Sequence, residues 1–200
     1  MDHDLDMGGI VSGMAVGLFG GSFDPPHAGH VHFAREALKR FGLDRLIWLV
    51  SPGNPLKADA PASMDRRIAL CRTVATHPKI HVSRAEGVLG TRYTAETLAA
   101  LMARFPGVRF VWLMGADNLA QLHRWNDWTQ IMDRVPVGIL ARPGFRLAAR
   151  NSVAARRYRA ARLPDAASRL LARQPPPCWC FVNMPMRSDA SSLIRSRGEW

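Results

Sequence analysis

Short, continuously apolar runs alternate with segments of helical period along most of this 200-residue chain. That alternation restricts the fold more than any single motif. Ala15–Phe19 (AVGLF), Arg45–Val50 (RLIWLV), Ile80–Ser83, Val108–Met114 (VRFVWLM) and Val135–Leu140 are too short for ordinary helices. Ala15–Phe19 and Arg45–Val50 are continuously apolar and read as strands buried on both sides, as in a parallel sheet, and the other three read as further strands. Ala28–Phe41 sets Val31, Ala34, Leu38 and Phe41 at helical intervals, and Met64–Thr76 follows Ser63 as N-cap. Tyr93–Phe105 is a third helix, stopping before Pro106-Gly107, and Ala116–Ile131 reads as one or two short helices. Phe181-Val182 belongs to a weaker sixth strand, and Ser191–Arg197 closes the chain as a short helix.

The repeated β-α order predicts an α/β fold, a Rossmann-like doubly wound parallel sheet with helices on both faces. Residues 15–200 are expected to form a single domain, with the triple proline Pro175–Pro177 a spacer before the last strand. The first fourteen residues, MDHDLDMGGIVSGM, carry three aspartates and no Lys or Arg, unlike a secretory signal, and read as a loose, disordered leader. No apolar run approaches the roughly 18–20 residues of a membrane span, so no membrane association is expected and the address is cytoplasmic. Oligomeric state is not legible, and a homo-oligomer stays open.

The three cysteines, Cys71, Cys178 and Cys180, are an odd count without zinc-like spacing. They read as free thiols on or beside buried strands, and no protein metal site is expected. Charge is lopsided: 27 Lys and Arg stand against 16 Asp and Glu, a net +11. Nine of the arginines lie between Arg142 and Arg173, opposed there by Asp165 alone. Such a patch suits nucleic acid or a polyphosphate, and Arg/Ala-rich coding gives it equally well. No aromatic-interleaved basic motif supports a nucleic-acid module, so a nucleic-acid partner is not expected.

The segment after the first strand carries the chemistry. In a doubly wound sheet the first βα loop is a favoured phosphate seat. Here it is Gly20-Gly21-Ser22-Phe23-Asp24-Pro25-Pro26-His27-Ala28-Gly29-His30. Adjacent glycines let backbone N–H groups approach an anion, and the helix beginning near Ala28 aims its positive end at the same place. His27 and His30 can donate to phosphate oxygens, more strongly when protonated. The loop has neither the dinucleotide-binding glycine pattern nor the P-loop lysine, so it would cradle phosphate in a third way.

His27-Ala28-Gly29-His30 matches the H-x-G-H signature of the nucleotidylyltransferase superfamily, and the flanking G-G-S-F-D-P-P resembles its bacterial nicotinate-mononucleotide adenylyltransferase branch. The resemblance runs from Ala15 to Arg197. It implies that ATP binds across this loop, with Gly20, Gly21, Ser22 and Phe23 near its phosphates and His27 and His30 contacting them. Pro52-Gly53-Asn54-Pro55-Leu56-Lys57 resembles the family's P-x-N-P-x-K loop, which makes Lys57 a phosphate ligand. Arg92-Tyr93-Thr94-Ala95-Glu96-Thr97-Leu98 is similar to its S-Y-T-x-E-T-L helix start, placing Tyr93 and Thr94 at the pyridine substituent; from the residues alone, Thr94 is an N-cap. Met114–Leu119 with His123–Trp128 resembles G-x-D-x-L…W, implying that Asp117 accepts from a ribose and Trp125 stacks on the pyridine. Without the resemblance, Trp125 and Trp128 would read as core residues on one helix face.

Asp189–Arg195 is similar to the family's I-S-S-T-x-I-R, implying phosphate contacts from Ser191, Ser192 and Arg195, although Asp189 and Ala190 depart from that pattern. Arg142 matches an R-P-G after the fifth strand and would also reach the nucleotide. The implied reaction joins ATP, with its Mg²⁺, to nicotinate mononucleotide, giving nicotinate adenine dinucleotide and pyrophosphate in NAD biosynthesis. His27, His30, Lys57 and Arg195 are the expected catalytic groups. Another acceptor, such as nicotinamide mononucleotide, is the alternative within the same class.

Overall fold

The computed structural model describes residues 5–53, 61–141 and 146–184. The chain runs β1 (Ala15–Gly21), α1 (Ala28–Arg40), β2 (Arg45–Val50), α2 (Met64–Val74), β3 (Ile80–Ser83), α3 (Ala85–Leu89) and α4 (Thr94–Arg104). It continues with β4 (Arg109–Gly115), α5 (Ala116–Gln121), a 3₁₀ turn at Leu122–Arg124, α6 (Trp128–Arg134) and β5 (Val137–Ala141). Then come α7 (Arg146–Arg150), α8 (Val153–Arg157), β6 (Arg162–Leu163), a 3₁₀ helix over Asp165–Arg173 and β7 (Trp179–Asn183). The seven strands form one sheet in the order β3-β2-β1-β4-β5-β7-β6, with every pairing parallel. The expected doubly wound α/β sheet is therefore present.

Side chains of alternate strand residues point to opposite faces, and both faces are covered. Leu46, Trp48 and Val50 of β2 meet Phe33, Ala34, Ala37 and Leu38 of α1 and Ile68 and Cys71 of α2. Ile47 and Leu49 face the other way, into a cluster with Leu98 and Leu101 of α4, Leu119 of α5 and Ile131 of α6. Burying each such aliphatic side chain is worth about 1.5–3 kcal/mol. Continuous apolarity in the strands is thus the signature of two packed faces.

Two parts of the sequence reading need correction. The leader expected to be loose is, from Leu5 onward, packed against the protein. Leu5, Met7 and Ile10 are buried in the core cluster, the Ser83 hydroxyl donates to the Leu5 carbonyl, and Gly13 N–H donates to Gly107 O at 2.9 Å. Apolar residues spaced among aspartates and glycines bury themselves in a groove that no local pattern announces. The Ala/Arg-rich stretch after β5 also holds ordered elements, α7, α8 and β6, which short segments of weak periodicity did not reveal. The closing helix expected at Ser191–Arg197 lies outside the described residues.

Candidate active site

Strand order decides where a ligand can sit. From β1 the chain moves outward through β2 to β3, then returns to lay β4 on the opposite side of β1. The loops leaving β1 and β4 therefore diverge, opening a crevice at the carboxyl edge of the sheet. Registers place Phe19 beside Leu113, Gly21 beside Val50, and Gly115 beside Leu140, so the first loop and the Asp117 segment leave the same edge. The segments bearing Tyr93 and Thr94 follow β3 at that edge as well. Sheet topology thus collects residues that are distant in sequence.

The first loop is built on packing. Gly20 and Gly21 are the last residues of β1 rather than a turn. A Cβ on Gly20 would lie 2.5 Å from the Trp112 ring, so packing alone explains that glycine. Phe23 has φ of 46°, a conformation costly for a bulky residue. Its ring offsets this by burial, stacked on Trp48 at 4.8 Å and edge-on to Phe19 at 5.6 Å. Any contact Phe23 makes with a ligand must therefore come from its backbone.

His27 is the N-cap of α1. Gly29 N–H donates to His27 Nδ1 at 3.1 Å, and His27 N–H donates to His30 Nδ1 at 3.1 Å, a reciprocal capping box. The rings lie 3.8 Å apart between centroids. With both Nδ1 atoms accepting, each neutral imidazole carries its proton on Nε2, the donor suited to an anion. A proton on either Nδ1 would break the box. Both histidines thus serve the cap through Nδ1.

Two residues in this region escaped the sequence reading. Asp24 Oδ1 accepts from Ala62 N–H at 3.3 Å. Arg67, 1% exposed, donates from Nε to Ala62 O at 2.7 Å and from Nη1 to Ser22 O at 2.6 Å and Ser51 O at 2.9 Å, with a longer Nη2 contact to Pro52 O at 3.5 Å. A signal was available: Arg67 shares the buried face of α2 with Ile68 and Cys71.

On the other side of the crevice, Tyr93, not Thr94, is the N-cap of α4, and Thr94 is the first helical residue. The Glu96 carboxylate accepts from the N–H groups of Tyr93 at 3.2 Å and Arg92 at 3.1 Å. Buried Thr97 is bonded to Thr91 through their hydroxyls at 2.8 Å. Asp117 is exposed on the first turn of α5 and turns back over Gly115, where a Cβ would lie 2.4 Å from Asp117 Oδ1. Trp125 and Trp128 do not share a helix face. Trp125 follows the 3₁₀ turn, half-buried against the core, whereas Trp128 opens α6 and meets Tyr158 edge-on at 6.0 Å.

Lys57, Arg142, Ser191, Ser192 and Arg195 lie outside the described residues. Burial pushes the thiols of Cys71 and Cys180 up to about 12, and Cys178 upward too, so all three free cysteines are poor nucleophiles. Among the described residues no helix is long and apolar enough to cross a membrane.

The cytidylyltransferase-like family matches residues 18–197. A protein of Cereibacter sphaeroides described as a probable nicotinate-nucleotide adenylyltransferase is 63% identical over 187 residues, 94% of this chain and 99% of the relative. The chain belongs to the nicotinate-nucleotide adenylyltransferase family. A Parvibaculum lavamentivorans protein with the same description is 50% identical over 192 residues, 96% of each chain. Among solved structures, Plasmodium falciparum nicotinic acid mononucleotide adenylyltransferase complexed with NaAD superposes with a TM-score of 0.67. That likeness covers 92% of this chain and 83% of the other at 15% identity, and supports the fold.

Proposed function

We propose that this chain transfers the adenylyl group of ATP to nicotinate mononucleotide in the cytoplasm, releasing pyrophosphate and forming nicotinate adenine dinucleotide. The observation that carries the reading is the His27–His30 capping box at the start of α1, set where β1 and β4 diverge. It offers a helix N-terminus and two Nε2–H donors at one point. The names borne by relatives at 50–63% identity over nearly the whole chain support the choice of substrates.

In this mechanism a 5′-phosphate oxygen of the mononucleotide forms a bond to the α-phosphorus of ATP, and the bond from that phosphorus to the bridging oxygen of the β-phosphate breaks. The nucleophile is already an anion, so no general base is required. The protein's task is to align two mutually repelling phosphates and to neutralise charge building on pyrophosphate. His27 and His30 take ATP oxygens, joined by Lys57 and Arg195, while backbone at Gly20–Phe23 and the side chains of Arg142, Ser191 and Ser192 complete the phosphate seat. Tyr93, Thr94, Asp117 and Trp125 hold the mononucleotide. Mg²⁺ arrives on the oxygens of ATP.

The test is to supply ATP with nicotinate mononucleotide, nicotinamide mononucleotide or phosphopantetheine and measure pyrophosphate from each. Fastest release with nicotinate mononucleotide is expected; preference for either other acceptor would reassign the substrate.

A further inference from the structure

Loops leaving the carboxyl edge of a parallel sheet carry backbone carbonyls that no neighbouring strand satisfies, and burying them without donors is costly. Arg67 answers several at once. Its fork reaches Ser22 in the loop after β1, Ser51 and Pro52 directly after β2, and Ala62 at the approach to α2. These loops leave adjacent strands, and the Ser51 N–H bond to Gly21 O at 3.0 Å joins them at the strand ends. Pro52 and Ala62 flank, in sequence, the segment that carries Lys57.

Packing alone does not account for a guanidinium here. An apolar side chain of similar volume would fill the same space without desolvating a charge, and Ile68 and Cys71 on this face of α2 are apolar. Burial disfavours the charged form of Arg67, and Asp24 in the first loop works against that effect. Asp24 also takes the Ala62 N–H, so the loop holds the start of α2 through a second bond. The arrangement ties the two loops together through directed bonds rather than by shape.

We infer that Arg67, assisted by Asp24, is a positioning residue for adenylyl transfer. It locks the loop of His27 and His30 to the chain leaving β2 and to the approach to α2, fixing where the two histidines meet the phosphates of ATP. This rests on the reading of those loops as the ATP seat. A lysine at this position would keep the charge and lose the planar fork. A shift of about 1 Å between the loops would then be paid in rate, on the order of 10²-fold.

The experiment compares the full-length wild type with Arg67→Lys and Asp24→Asn. Pyrophosphate release is followed while ATP and nicotinate mononucleotide are varied separately, well below each variant's Tm. Arg67→Lys should lower kcat by about 10–100-fold and raise KM for ATP, leaving KM for the mononucleotide within about twofold. Asp24→Asn should shift the same constants in the same direction by less. A lowered Tm with kcat and both KM values unchanged would show a purely structural role and overturn the inference, as would an equal rise in both KM values. If Arg67→Lys does not fold, Asp24→Asn decides: wild-type kcat and KM for ATP in that variant overturn the proposal. An inactive wild type would instead overturn the underlying reading of the site, and with it any role for Arg67 in adenylyl transfer.

Discussion

The loop after β1 and the arginine-rich crossover between β5 and β7 answer the same question, where an anion would bind, in opposite ways. The crossover has most of the formal charge, yet several of its arginines lie over aromatic rings: Arg150 over Phe181 at 5.0 Å, Arg157 over Trp128 at 5.7 Å, and Arg162 over Trp179 at 5.4 Å. Their guanidinium planes finish the covering of β7 and α6. Ser22–His27 contains no Lys or Arg, and Arg67 reaches it from α2. There the donors are a helix terminus and one buried guanidinium bound to backbone, with two neutral histidines at the cap. Net charge locates arginines; the proposed phosphate seat relies instead on directed donors.

The sharpest way to break this comparison is His30→Ala. Loss of one transition-state donor should reduce pyrophosphate release by on the order of 10²–10³, with a cooperative unfolding transition retained. A folded variant with wild-type turnover would remove the loop from the chemistry. Stability, rather than rate, tests the contrast between buried charges. Glu86 of α3 is 7% exposed, and burial raises its carboxyl to about 7 from 4.5. Its folded pKa lies above the unfolded one, so the folded state holds the extra proton and stability falls as pH rises from about 4.5 to about 7. Glu86→Gln should therefore stabilise by about 2–3 kcal/mol at pH 8 and by little at pH 4. Denaturant melts at the two pH values measure it, and an equal change at both would contradict burial as the cause.

Smaller effects separate ligand contact from packing. Trp125→Ala should raise KM for the mononucleotide about 10-fold and that for ATP much less, the size expected from one lost aromatic stack. Equal changes in steady-state kinetics would assign Trp125 to the core it partly touches. Arg150→Ala and Arg162→Ala should each cost only about 0.5–1 kcal/mol in thermal unfolding and leave turnover within about twofold. A large loss of turnover from either would bring the crossover into the site.

What could be read from the residues differs by element for a physical reason. Arg45–Val50 and Ile80–Ser83 have the predicted bounds; for the former, an unbroken apolar run records burial on two faces locally. Ser63 caps α2 through a bond to Arg66 N–H, as its type and position suggest. Val153–Arg157 and Arg162–Leu163 were missed, since elements this short gain their stability from neighbours far along the chain. Arg67 read as one more arginine because periodicity marks which face is buried, not which polar groups a buried side chain can satisfy.

The sequence by itself determined the β-α rhythm, the parallel sheet and the His27–His30 helix start, all properties of contiguous residues. Tertiary structure decided the rest. It set the order β3-β2-β1-β4-β5-β7-β6, which opens the crevice beside that helix start. It buried Leu5, Met7 and Ile10 of a segment that reads as loose. It fixed which carbonyls Arg67 holds. Each depends on groups brought together across the chain, and hydrogen-bond direction and burial are set only when those partners meet.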